Sequence, residues 1–235
     1  MNEAQILLVT AASIAFLHTV LGPDHYLVFT AMGKARRWGL QKTLRITLIC
    51  GAGHVLGSIL LGIAGIAVGA ELAALIRIEG MRGSLAGWVL LAFGITYFAW
   101  GLRQAGRGRV HSHLHVHDGV IHDHVHDHHA EHTHVHNSES RVSITPWAMF
   151  VIFVFGPCEA LIPLFMYPAA QQNIVLVLEV ALVFGIVTLA TMTAAVAITM
   201  AGLERLRLPS PGRWNHAVAG ASVALCGGAI TMIGL

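Results

Sequence analysis

The sequence predicts an all-α, polytopic membrane protein with six transmembrane helices, on three observations. Of its 235 residues, 55% are hydrophobic and only 11% are charged, where a soluble domain carries about 25% charged residues. Its mean hydropathy is +0.69. The apolar residues come in blocks of about 20 or more, the length needed to cross roughly 30 Å of hydrocarbon. Together these exclude an ordinary cytosolic enzyme, a disordered protein and a secreted disulfide scaffold. Cys50, Cys158 and Cys226 are odd in number and all lie in apolar segments, so they imply no disulfide framework.

The first span is predicted over residues 5–32. It lacks a basic leader, and its apolar run continues past any reasonable cleavage site, so it reads as a span and not as a removable signal. Gly22 and Pro23 predict a tilt or break inside it. Further spans follow at 44–70, 84–102, 147–169, 174–201 and 215–235. The chain therefore divides into a first three-helix repeat (1–102), a polar His-rich loop (103–145) and a second three-helix repeat (146–235).

Lys and Arg give the orientation. Lys34, Arg36, Arg37, Lys42 and Arg45 follow the first span. Arg103, Arg107, Arg109 and Arg141 follow the third, and Arg205, Arg207 and Arg213 follow the fifth. The opposite side holds only Arg77 and Arg82. This predicts an inner-membrane (plasma-membrane) protein with both termini outside and the 103–145 loop cytoplasmic.

An internal repeat is visible. LGPDHYLVF, from Leu21 to Phe29, aligns with FGPCEALIP, from Phe155 to Pro163. Each places Gly-Pro and then two polar or metal-capable residues inside an apolar helix. With three spans per half, the second copy runs opposite to the first, the inverted-repeat plan of many secondary transporters. Helix breaks are predicted at Gly22-Pro23 and at Gly156-Pro157.

Ionisable residues within a span are expensive, so each is a functional candidate. The first span has His18, Asp24 and His25, the second has His54, and the fourth has Cys158 and Glu159. His25 lies roughly 13 Å along the helix from Lys34, and His54 roughly 13 Å from Arg45. Both lysine and arginine mark one interface, so the two histidines are predicted at one depth near mid-membrane. Carbonyls freed by the two prolines could help to desolvate a cation, and the carboxylates would offset its charge. Imidazole donors suit nickel, cobalt, zinc or copper better than magnesium or calcium. Taken alone, His54 reads equally as a helix–helix hydrogen-bonding residue, and Cys158 as a small buried apolar one.

The loop is the strongest compositional signal. Between His111 and His136, 12 of 26 residues are histidine: His111, His113, His115, His117, His122, His124, His126, His128, His129, His132, His134 and His136. Such a tract is read as a disordered metal-binding segment. Mostly neutral at cytoplasmic pH, its imidazoles offer lone pairs to borderline cations.

His18, Asp24 and His25 resemble the H-x-x-x-x-D-H signature of nickel–cobalt permeases. With six spans and a His-rich loop, the whole chain resembles the NicO-type branch of the LysE superfamily. Five residues, not four, separate His18 from Asp24 here, and Gly22-Pro23 fills the interval. The resemblance implies that His18, Asp24 and His25 bind a translocated ion, with His54 contributing. GPCEALIP also resembles the cysteine-bearing helices of DsbD-type thiol electron carriers, but the matching position in the first half is Asp24.

These readings lead to a secondary carrier, not an enzyme, for a divalent transition metal, with nickel or cobalt ahead of zinc. The metal is substrate, and no prosthetic group is expected. No nucleotide motif is present, so an ion gradient would supply the energy. A loop that collects ions on the cytoplasmic side favours export. The expected partners are the lipid bilayer and metal ions, not nucleic acid, and a homo-oligomer is compatible with the sequence. A thiol electron carrier working through Cys158 and a LysE-like exporter of small solutes are the alternatives.

Overall fold

The computed structural model describes residues 2–107, 111–117, 120–126, 144–156, 158, 160–205 and 212–233. It contains helices α1 (Glu3–Leu21), α2 (Asp24–Ala35), α3 (Leu40–Ala67), α4 (Leu72–Arg107), α5 (Ile144–Phe155), α6 (Leu161–Ala170), α7 (Ile174–Arg205) and α8 (Asn215–Ile233). Among the described residues, α1, α3, α4 and α7 are long and apolar enough to cross a membrane. Their apolar character shows at the surface, where Phe16, Leu17, Ile49, Leu60, Leu85, Leu182 and Ile186 are exposed. The interior holds the polar groups instead: Thr19, His25, Thr43, Thr47, His54, Ser58 and Glu79 are all buried. Polar inside and apolar outside is the arrangement of a multi-pass membrane protein.

Local chemistry sets the helix ends. Asn2 caps α1 reciprocally, its side chain accepting the Gln5 N–H at 2.9 Å while Gln5 accepts the Asn2 N–H at 3.1 Å. Gly22 and Pro23 lie between α1 and α2. Chain reversal at the end of α3 uses Gly69 at φ +65°, a conformation open to glycine.

The third span starts earlier than its charges suggest. Residues 84–102 were expected to form it, with Arg77 and Arg82 in an external loop; α4 instead begins at Leu72 and runs 36 residues, about 54 Å. Glu79 and Arg82 pair one turn apart within it, at 2.6 Å, which lets both charges enter the bundle. Arg77 stays exposed.

The seam between α4 and α8 is built from backbone contact. A Cβ on Gly94 would lie 2.3 Å from the Ala224 nitrogen, and one on Gly220 would lie 2.3 Å from the Phe98 nitrogen. Gly87, Gly94 and Gly101 repeat every seven residues on α4, with Gly94 against Ala224 and Gly101 against Ala217, while Gly220 and Gly227 of α8 abut Phe98 and Leu91. Small residues at this spacing let helices approach closely where no hydrophobic force drives them together.

One end of the bundle collects the basic segments. Lys34 reaches Glu204 at 3.2 Å, and Arg36 donates to Thr145 Oγ1 at 2.5 Å. Arg36 also lies over the rings of Tyr97 and Trp100. The ends of α2, α4 and α7 and the start of α5 therefore share a side. At the far end, Tyr167 of α6 donates to Glu3 of α1.

The interval 103–145 is described only in part. It holds the end of α4, two strands, and the start of α5. Strands β1 (His111–His117) and β2 (Val120–His126) pair antiparallel, with His111 opposite His126, His113 opposite His124 and His115 opposite His122. Strict H-x-H alternation has the two-residue period of a strand.

Candidate metal centre

Three histidines from three helices meet in the interior. His18 comes from the last turn of α1, His25 from the first turn of α2, and His54 from the middle of α3. Their ring centroids are 4.9 Å (His18–His25), 5.3 Å (His25–His54) and 6.5 Å (His18–His54) apart. One nitrogen from each can be chosen so that all three lie within 4.8 Å of one another. His25 and His54 are buried, at 3% and 2% exposure, and His18 is half-buried.

The hydrogen bonds decide which nitrogens face inward. His25 Nδ1 lies 3.2 Å from the Gly22 carbonyl oxygen and 3.1 Å from Asp24 Oδ1. His54 Nδ1 lies 3.3 Å from the Phe153 carbonyl oxygen. Those oxygens can only accept, so in each neutral ring Nδ1 carries the proton and Nε2 keeps a lone pair. The Nε2 atoms of His25 and His54 are buried and have no hydrogen-bond partner among the described residues. Buried polar atoms normally find a partner. Two buried, unpartnered lone pairs within one histidine cluster are donors that could hold a metal ion, with the Nδ1–H bonds orienting the rings.

The glycine of each Gly-Pro pair makes room for one of these rings. A Cβ on Gly22 would lie 2.5 Å from His25 Nδ1, and one on Gly156 would lie 2.9 Å from His54 Nδ1. Both glycines thus serve close ring approach, beyond any role in interrupting a helix.

Asp24 sits beside His25 and lines a cavity with His54, Phe153, Gly156, Gly83 and Ile230. Its carboxylate places negative charge next to the imidazoles. Cys158 is fully buried, and its Sγ is 4.0 Å from His18 Nε2. His18, Asp24, His25, His54 and Cys158 are therefore brought together around one interior region. Glu159 and Pro157 lie outside the described residues, as do His128, His129, His132, His134 and His136. Among the loop histidines, His111, His113, His115 and His117 belong to β1, and His122, His124 and His126 to β2.

Two residues next to this region escaped the sequence reading. Arg82 was counted with the charges on the outer side and Glu79 was not singled out, yet Arg82 reaches Val154 near the end of α5 and Glu79 reaches Cys158 between α5 and α6. Their signal was the i, i+3 spacing of opposite charges, which allows mutual pairing on a helix.

Comparison with known families, characterised proteins and solved structures gave no match to this chain.

Proposed function

We propose that this protein is a secondary carrier for a divalent transition-metal cation, nickel or cobalt ahead of zinc. The observation that carries the reading is the pair of buried, unpartnered Nε2 atoms on His25 and His54, in rings that cluster with His18 in the bundle interior. Nitrogen donors at this count select first-row transition metals over magnesium or calcium. The resemblance to NicO-type permeases points the same way.

In this reading His18, His25 and His54 replace the ion's water, and Asp24 offsets its charge. Cys158 and Glu159 extend the donor set from the second half, and Cys158 tunes which metal is preferred. Six spans arranged as an inverted three-plus-three repeat, broken at Gly22-Pro23 and Gly156-Pro157, would place such a site at the interface of the halves. Histidine ligands must be deprotonated to bind, so loading the metal displaces protons. That links transport to a proton gradient without any nucleotide. The His-rich segment would hold ions at the cytoplasmic mouth, which favours export across the inner membrane.

The test is cobalt or nickel flux in proteoliposomes of known orientation. Asp24→Asn and His25→Ala should each abolish flux in protein that inserts normally, while Cys158→Ser should shift the order of metals transported. Flux at the parent rate in Asp24→Asn would overturn the assignment.

A further inference from the structure

Glu79 and Arg82 carry charge into the bundle interior but are not among the groups assigned to the ion. Glu79 is fully buried, and Arg82 Nη1 donates to its Oε1 at 2.6 Å. The other ends of both side chains go to backbone. Arg82 Nη2 donates to the Val154 carbonyl oxygen at 2.9 Å and reaches that of Gly156 at 3.5 Å. Glu79 Oε2 accepts the Cys158 N–H at 3.3 Å.

The pairing of Val154 with Cys158 is the informative part. In a continuous α-helix the N–H of residue 158 would donate to the carbonyl of residue 154. Here α5 ends at Phe155, and that bond is open. The carbonyl half is taken by Arg82 and the N–H half by Glu79, so the ion pair is spliced into one missing rung of the helix. A buried backbone group without a partner is costly, and a charge in a span needs its own compensation. Each need answers the other. Ser58 adds a further contact, 3.5 Å from Arg82 Nη1.

The spliced segment also touches the metal centre. Phe153, one residue before Val154, accepts from His54 Nδ1. Gly156 lies against the His54 ring, and Cys158 Sγ is 4.0 Å from His18. We propose that Glu79 and Arg82 are positioning residues: they clamp the interruption between α5 and α6 and so set His54 and Cys158 in place for the ion. The effect on the ion rests on the metal-carrier reading above; the clamp on Cys158 does not. Gly57 provides a separate handle. A Cβ there would lie 2.9 Å from the Val154 oxygen and 3.0 Å from Arg82 Nη2, wedging the two apart with both charges kept.

Two variants are compared in detergent-purified full-length protein carrying Cys50→Ala and Cys226→Ala, so that Cys158 is the one thiol. Gly57→Ala wedges the clamp. Glu79→Leu with Arg82→Met removes both charges together, because a lone survivor would be an unpaired buried charge. N-ethylmaleimide reports thiol access, and cobalt(II) alone, followed by its visible spectrum, reports the ion site. At parental helix content, both variants should alkylate Cys158 about tenfold faster. Cobalt affinity should fall by about tenfold or more, with a changed spectrum. If the double variant does not fold, Gly57→Ala decides alone. Parental alkylation rate and parental cobalt spectrum in Gly57→Ala would overturn the clamp. If the parent binds no cobalt, the metal reading fails, and the alkylation rates still judge the clamp. Faster alkylation with an unaltered cobalt site would overturn its positioning role.

Discussion

His54 Nδ1 lies 3.3 Å from the carbonyl oxygen of Phe153, so the last turn of α5 fixes the ring that α3 carries. His25 is held in the corresponding way by Gly22 and Asp24. In each case a backbone carbonyl in or within one turn of a Gly-Pro pair accepts the Nδ1–H hydrogen bond, and Nε2 is left buried without a partner among the described residues. The orientation of these imidazoles is therefore a property of the chain around each Gly-Pro pair as much as of the histidines.

Gly22→Ala and Gly156→Ala should each weaken cobalt binding by about tenfold or more, because the added methyl displaces a ligand ring from its orienting partner. Helix content should be unchanged. Calorimetric titration with cobalt(II) measures the effect, and parental affinity in both variants would contradict the role given to these glycines.

Cobalt affinity should fall as pH is lowered. The neutral imidazole binds the ion and the protonated one does not, so protons compete with metal. Below the ligand titration range the loss should approach about tenfold per pH unit for each proton displaced. Titrations at about pH 8, 7 and 6 give the slope. A flat profile would mean that no histidine is a ligand.

Cysteines introduced at Val68 and Gly106 should be labelled from opposite sides of the membrane by a reagent that cannot cross it. Val68 is 81% exposed at the end of α3, and Gly106 is exposed at the end of α4. The count of Lys and Arg puts Val68 outside. Labelling of both from one side would remove the assigned topology.

Deleting residues 111–136 should leave cobalt flux measurable in proteoliposomes while raising the concentration needed for half-maximal rate. The segment lies in sequence outside the helices that carry His18, His25 and His54. Complete loss of flux in protein that inserts normally would show that it does more than collect ions.

The apolar helices were legible in the sequence because bilayer length and composition leave a coarse pattern. So were His18, Asp24, His25 and His54, since a titratable group amid leucine and valine is conspicuous. Their convergence was only partly legible: depth follows from the helical rise, whereas which ring nitrogen faces inward depends on carbonyls that no pattern reveals. Arg82 was misplaced because charge counting treats an arginine as a boundary, although Glu79 one turn away neutralises it and the backbone of Val154 and Gly156, distant in sequence, takes its other donor. Alternation from His111 to His117 has the two-residue period of the strand found there.

The α4–α8 seam bears on motion. With Gly94 against Ala224 and Gly220 against Phe98, main chain rests on main chain at these points, with no rotatable side chain between them to be rearranged. Sliding one helix along the other would drive α-carbons into each other before a new register was reached. The two helices are thus a single stiff strut, and Asp24 and His54 face a cavity walled on one side by Gly83 and Ile230 of that strut. If the protein works as the proposed carrier, the exchange of access between the two membrane faces is expected to come from the short helices turning against that wall.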